Sequence, residues 1–510
     1  MRPLLIIATI LVAAIPFAAT TICPPRQWTV GQTVHTTSGP VHGHAATVAS
    51  EVSEYLGIPY AQPPVGKLRF QPPVRYNGTT KIDGKDFGPA CIPSNISAYD
   101  ADFPEKLIEK YGVTDAGRRL LSSITAPGIK VSEDCLSLNI WTKPQTGEWK
   151  KAVLVWIHGG SYVSGSSGLP AYNGQFFAGQ DDVVLVSINY RLTIFGFPGN
   201  PLGAQNLGLL DQRLAVEWLR DNIASFGGDP SRITLFGESA GGVSIDDYSY
   251  AWPSDPIVNG LIPMSGTATG IGVRNKDLAS EFWFNSSSVV GCGNANTPAQ
   301  EVYNCMMAAP AEDIVRSLVN TIDSPINMPY CPTIDDELVF DNHTDLPTAS
   351  LPMMIGNTDN EMGLFKIFVD MPVPDEFWQQ QNQIMFSCPA ASRAAVSVKN
   401  GNPTWRYRWH GVFPNTIIAT RPPSGAYHES EIALLFGNAD QDEIANTVEE
   451  NTIGRYMRGA WAAFAKDPVH GLLGYGWPRY VANESTLVRI GYENRTGPNL
   501  AVGSFYDRGC

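Results

Sequence analysis

The sequence predicts an α/β protein built on a large, mostly parallel central sheet flanked by helices. Three observations carry this reading: short continuous apolar runs recur, helical periodicity fills the gap between two of them, and a long amphipathic segment follows near the C-terminus. The runs are Val153 to Ile157, Val183 to Ile188, Ile233 to Phe236, Leu261 to Met264 and Pro352 to Ile355. Strands that alternate would have one wet face; runs without alternation fit strands covered on both. Between the second and third runs, Leu210, Leu214, Trp218 and Ile223 repeat at helical spacing within Leu207 to Phe226. Strand, helix, strand is the right-handed crossover that parallel pairing requires. The last long helix is expected over Asp442 to Lys466, opened by acidic residues and closed by Arg455, Arg458 and Lys466 as the helix dipole prefers.

Composition narrows the function. The chain has 510 residues, of which 43% are apolar and 16% charged, enough core to exclude a disordered protein or a small disulfide scaffold. Its net charge of −14 disfavours a nucleic-acid binder, which needs a basic surface. Length alone suggests two or three domains.

The N-terminus has the form of a secretory signal over residues 1–19: Arg2, an apolar stretch from Leu4 to Ile15, then Pro16, Phe17, Ala18 and Ala19. The stretch is too short to span a bilayer, and no later segment offers a stable membrane anchor. Asn-x-Ser/Thr sequons at Asn77, Asn95, Asn285, Asn342, Asn483 and Asn494 fit export and glycosylation. Eight cysteines, dispersed rather than set in metal-ligand pairs, fit an oxidising compartment. The expected protein is secreted and extracellular, and its oligomeric state is not legible.

The chemistry concentrates at Gly237-Glu238-Ser239-Ala240-Gly241, directly after a buried run. Gly-x-Ser-x-Gly in that position makes a sharp turn that lifts a serine hydroxyl above the sheet edge. A serine nucleophile needs donors for the oxyanion and a base for its proton. Donors are offered where Val153 to Ile157 ends in His158-Gly159-Gly160-Ser161, and by the Ala240 amide. Four histidines follow Ser239. His343 lies in a sequon and is expected on the surface, His410 reads as a strand position, and His470 falls in a loop after the long helix. His428 precedes a short amphipathic segment that can anchor its loop, so it is the favoured base. The orienting acid is Asp359 or Glu361, both in one turn past Pro352 to Ile355, and pattern does not separate them.

These residues belong to a wider set. Leu56 to Phe70, Ser132 to Trp141, the His158 glycine turn, Asn189-Tyr190-Arg191, Gly208 to Arg213, Gly237 to Gly242, Gly356 to Glu361 and Gly425 to His428 stand in one order along the chain. Together they resemble the type-B carboxylesterases, the carboxylesterase, cholinesterase and fungal lipase branch of the α/β hydrolases. The resemblance implies one α/β-hydrolase domain over residues 20–510, with Ser239 as nucleophile, Glu361 as acid, His428 as base, and the amides of Gly160, Ser161 and Ala240 as the oxyanion hole. It implies a small-molecule ester substrate, with no cofactor and no metal.

It also implies disulfides Cys91–Cys135 and Cys292–Cys305, and ion pairs Arg69–Glu133 and Arg191–Asp211. Pairing of Cys23, Cys331, Cys388 and Cys510 stays open. Ser161 stands where many relatives have glycine. The loop closed by Cys91 and Cys135 contains Tyr99, Phe103 and Tyr111 but no Trp, the cation–π platform of choline-binding relatives, which speaks against a cholinesterase. In lipase relatives this loop is a lid. Here Leu107, Ile108, Leu120, Leu121 and Ile124 are interrupted by Lys106, Glu109, Lys110, Arg118 and Arg119, so a solvated helical loop is expected. A lipase or sterol esterase is the alternative function. Loss of catalysis, giving an adhesion or binding protein on the same fold, is a further one.

Overall fold

The computed structural model describes residues 27–94, 105–124, 128–270, 273–318, 329–369, 371–439 and 445–510. Residues 1–19, expected to be a signal, therefore lie outside the described residues with Cys23 and Asn95, as do Tyr99 and Phe103.

An eleven-stranded mixed sheet runs through the molecule. Its strands are β1 (His44–Ala45), β2 (Ser53–Pro59), β3 (Ser137–Thr142), β4 (Lys151–Ile157), β5 (Val184–Ile188), β6 (Gly228–Glu238), β7 (Gly260–Met264), β8 (Met353–Thr358), β9 (Thr404–Trp409), β10 (Ser485–Ile490) and β11 (Ala501–Val502). In space they are ordered β11-β10-β9-β8-β7-β6-β4-β5-β3-β2-β1. The block from β10 to β5 is parallel, and antiparallel strands extend it at both edges. A separate three-stranded sheet involves Val34–Thr36, Gly39–His42 and Ile82–Asp83.

Each expected apolar run lies on a central strand, and β4 shows why it does not alternate. Val153, Val155 and Ile157 enter one hydrophobic core, whereas Leu154 and Trp156 enter a second on the opposite face. The helix Leu207–Asn222 covers the first face through Leu214, Trp218 and Leu219, and its end tightens into a 3-10 turn, Ile223–Phe226. The helix Val448–Lys466 covers the second through Met457, Trp461 and Phe464. That helix begins later than the Asp442 start expected from charge. The Thr447 hydroxyl accepts from the Glu450 amide, and the Glu450 carboxylate accepts from the Thr447 amide. This reciprocal cap fixes the first turn, and a run of acids cannot do so without a cap.

Cys91–Cys135 and Cys292–Cys305 are bonded, and Cys388 pairs with Cys510, which ties the C-terminus to the helix Cys388–Lys399. Cys331 is buried. Within the first disulfide loop, helices Glu105–Tyr111 and Asp115–Ile124 form. They are not solvated all round: Ile108, Tyr111, Val113 and Leu121 pack on Leu364, Ile367, Ile418 and Tyr427. The charges that interrupt the apolar pattern leave enough of one side free to dock.

Arg69 binds Glu133 at 2.6 Å, and Arg191 binds Asp211 at 2.7 Å. The second pair is buried. Burial raises the Asp211 carboxyl above its usual range despite the opposing Arg191, so the pair survives because the guanidinium and the Arg191 amide satisfy both oxygens. Arg191→Met removes the guanidinium and leaves that buried carboxyl only a backbone amide, which is expected to cost about 3–5 kcal/mol, read by denaturant unfolding. A loss under about 1 kcal/mol contradicts this. Among the described residues no helix is long and apolar enough to cross a membrane.

Candidate active site

The site lies off the C-terminal ends of parallel strands β6, β8 and β9, where open α/β sheets place their ligand crevices. Ser239 follows β6 immediately and caps the helix Ala240–Ala251 with φ 57° and ψ −123°. This left-handed backbone costs a non-glycine residue roughly 1–2 kcal/mol and persists because the surroundings enforce it. A Cβ on Gly241 would stand 2.0 Å from the Ile157 carbonyl oxygen, and one on Gly266 would stand 2.1 Å from the Ser239 carbonyl oxygen. The turn thus closes to a distance that only glycine permits.

Glu361, three residues past β8, is fully buried. Its Oε1 accepts from the Ser265 hydroxyl at 2.8 Å and the Thr358 amide at 2.6 Å. Its Oε2 lies 2.6 Å from His428 Nδ1. With Nδ1 protonated towards Glu361, Nε2 carries the lone pair. Phe365 and Phe386 pack against the imidazole, each with its ring centroid 5.0 Å away.

Asp359, the other acid that pattern allowed, is engaged elsewhere. It sits 2.8 Å from Arg408 and 3.5 Å from His410. Burial opposes its ionisation, but hydrogen bonds and charge from His410 and Arg408 hold the carboxyl down at about 2. His410 lies just past the end of β9 rather than within it. His470 is exposed after the long helix, as expected, whereas His343 is half-buried against Tyr250 rather than on the surface. His158 is buried and stacked on Tyr190, and desolvation lowers it to about 4, so it stays neutral.

The three backbone N–H groups that the sequence offers as donors have no acceptor among the described residues. Gly160, at φ 98°, and Ser161, at φ 55°, donate no hydrogen bond to the described residues, and Ala240 is the first residue of its helix, whose amide has no partner within it. A cavity of about 180 Å³ is lined by Gly159, Gly160, Ser164, Tyr172, Tyr427 and Glu429 and by Leu120 of the disulfide loop, among others; of the three amide-bearing residues only Gly160 is in its wall. A larger groove of about 840 Å³, with Tyr250, His343, Arg393 and Lys399 in its walls, contains none of these groups.

Two features escaped the sequence reading. No hydrogen bond joins Ser239 Oγ to His428 among the described residues; instead Glu238 Oε1 stands 3.1 Å from Nε2. Glu238 is buried, and desolvation followed by the charges of Glu429, Glu431 and Glu361 pushes it well above the usual carboxylate range. Ser265, at φ 47°, supplies the second hydrogen bond to Glu361. Glu238 occupies an unspecified position of Gly-x-Ser-x-Gly, and Ser265 merely follows the end of β7, so neither carried a signal.

The carboxylesterase family matches residues 30–383 and 372–504. The chain belongs to the carboxylesterase family. It is therefore a member of the carboxylic ester hydrolases, built on the α/β-hydrolase fold, and small-molecule esters are the substrates that membership implies. It is 33% identical to a chlorogenic acid esterase of Aspergillus niger over 92% of this chain and 89% of the other. It is 31% identical to secreted lipase 5 of Gibberella zeae, covering 96% and 95% of the two chains. With a cholinesterase of Mus musculus it shares 35% identity over 63% of this chain and 50% of the relative. Of the sequon asparagines, Asn77, Asn285, Asn342, Asn483 and Asn494 are exposed.

Proposed function

We propose that this carboxylesterase is a secreted enzyme that hydrolyses esters through an acyl-enzyme on Ser239. The observation that carries the reading is the 2.6 Å contact of Glu361 with His428 Nδ1, which leaves the Nε2 lone pair as a base. Ser239 Oγ attacks the ester carbonyl carbon and its proton passes to Nε2. The Gly160, Ser161 and Ala240 amides hold the oxyanion, each donor contributing on the order of 3 kcal/mol to the transition state. The intermediate collapses, the C–O bond to the alcohol breaks, and His428 returns the proton to the leaving oxygen. Water then repeats the sequence: His428 takes its proton, hydroxide attacks the acyl carbon, and the acid leaves as Ser239 recovers its hydrogen.

Export of residues 20–510 as one catalytic domain, after removal of residues 1–19, is part of the same proposal. Three disulfides, exposed sequons and a secreted fungal relative support it. Rates over esters of increasing acyl length, in solution and as emulsions, test the substrate class. Saturable hydrolysis of short dissolved esters is expected. A rate that rises only above the solubility limit overturns the general esterase reading in favour of a lipase.

Ser161 is proposed to restrict the alcohol side. Its side chain stands at a left-handed turn beside the oxyanion amides, where glycine would leave more room. Ser161→Gly is expected to raise hydrolysis of a tertiary-alcohol ester relative to a primary one. An unchanged ratio contradicts the assignment.

A further inference from the structure

The groove of about 840 Å³ contains neither Ser239 nor His428, but its wall holds an attachment point for sugar. Asn342, which opens the sequon Asn342-His343-Thr344, stands in that wall and is exposed. Its Oδ1 accepts from the Thr344 amide at 2.8 Å and folds the sequon into a tight turn. Its Nδ2, the atom that carries an N-linked sugar, donates to none of the described residues. A sugar attached at Asn342 therefore displaces no hydrogen bond of the fold.

The lining indicates what the groove suits. Both of its long cations are already paired, Arg393 with Asp246 at 2.5 Å and Lys399 with Asp345 at 3.9 Å. An anionic ligand finds no spare positive charge there. Tyr250 and His343 meet edge to face, with ring centroids 4.7 Å apart. Asn400 gives its Nδ2 to the Thr348 hydroxyl, and Asn402 Oδ1 accepts from the Ser350 hydroxyl, so each amide keeps one polar end for a ligand. Rings beside uncharged hydrogen-bonding groups match a neutral, polyhydroxylated occupant. The volume falls within the roughly 300–1,000 Å³ of small-molecule sites, room for the first sugars of a glycan.

We propose that Asn342 is N-glycosylated and that the first sugars of its glycan lie in this groove, over Tyr250 and His343. The proposal rests on export of the chain. In the joining step the bond from Nδ2 to the anomeric carbon forms as the bond from that carbon to a lipid-linked pyrophosphate breaks. Nδ2 loses one proton, and the lipid pyrophosphate departs. The attached glycan then enters the groove as a tethered group, without the translational cost that a free sugar meets, so weak contacts suffice to seat it.

The test uses the full chain secreted from a eukaryotic host. Peptide mass mapping is expected to find a glycan on Asn342, and none there in Thr344→Ala, which removes the sequon. The folded protein is then treated with an endoglycosidase that cuts within the N-acetylglucosamine core. Ser392 is exposed and lines the groove, so Ser392→Trp fills the space without entering the core. Cleavage at Asn342 is expected to be about tenfold slower in the parent than in Ser392→Trp, because the endoglycosidase reaches the glycan only in the fraction of molecules where it has left the groove. The same ratio is expected between folded and unfolded parent, which keeps the test decisive if the variant misfolds. A bare Asn342 in the exported chain overturns the proposal, as do equal cleavage rates in both comparisons. A chain retained in the cytosol with every sequon bare overturns the export reading, and the proposal with it.

Discussion

Ser239→Ala is expected to reduce kcat roughly a million-fold while leaving the unfolding transition in place. The residual rate then reflects only binding and the oxyanion amides, which survive the change. Folding should be indifferent because the substitution removes one oxygen that makes no hydrogen bond to any described residue. The turn is held instead by the Ser239 amide on the Met264 carbonyl, at 2.9 Å, and by the close glycines. Steady-state kinetics and thermal unfolding of the same preparation read both halves. Activity within about tenfold of the parent contradicts the nucleophile, and loss of folding would mean that the hydroxyl has a structural role.

Glu361→Gln is expected to cost about ten-thousand-fold in kcat with little change in KM. The reason lies in the donors already present. Ser265 Oγ and the Thr358 amide both point at Oε1, so a glutamine there must direct its carbonyl oxygen to them. Its NH2 group then meets His428 Nδ1, where a donor faces a donor. The ring relieves this by moving its hydrogen to Nε2, the tautomer that cannot take a proton from Ser239. The loss should persist across the pH range, since no change of pH restores the tautomer. A shift along the pH axis with full activity at its new optimum contradicts the account.

How much of this was legible in the sequence depends on whether the cause was local. Val153 to Ile157 read as a doubly covered strand because both faces of β4 are buried, and Ser239 read as a turn serine because its glycines are adjacent. The acid was not separable by residue physics. Asp359 and Glu361 differ in what other elements bring to them: β9 delivers Arg408 and the chain beyond it His410 to the first, whereas Ser265 and His428 converge on the second. Resemblance pointed to Glu361, and the contact with His428 supports proposing it as the acid. Glu238 and His428 were invisible as a pair because they lie far apart in the chain and meet only when β6 and the His428 loop share one crevice. The Cys388–Cys510 bond likewise depends on the C-terminus returning to a distant helix. The disulfide loop was misread as solvated because its partner, the cluster of Leu364, Ile367 and Ile418, comes from later in the chain.

Peptide mass mapping after reaction with a serine-directed phosphonate tests the central claim most directly, because stable phosphonylation requires a serine activated by a neighbouring base. The account predicts one adduct, on the peptide containing Ser239, absent from His428→Ala and slowed in Glu361→Gln. An adduct on a different serine, or undiminished labelling of Ser239 in His428→Ala, would contradict it.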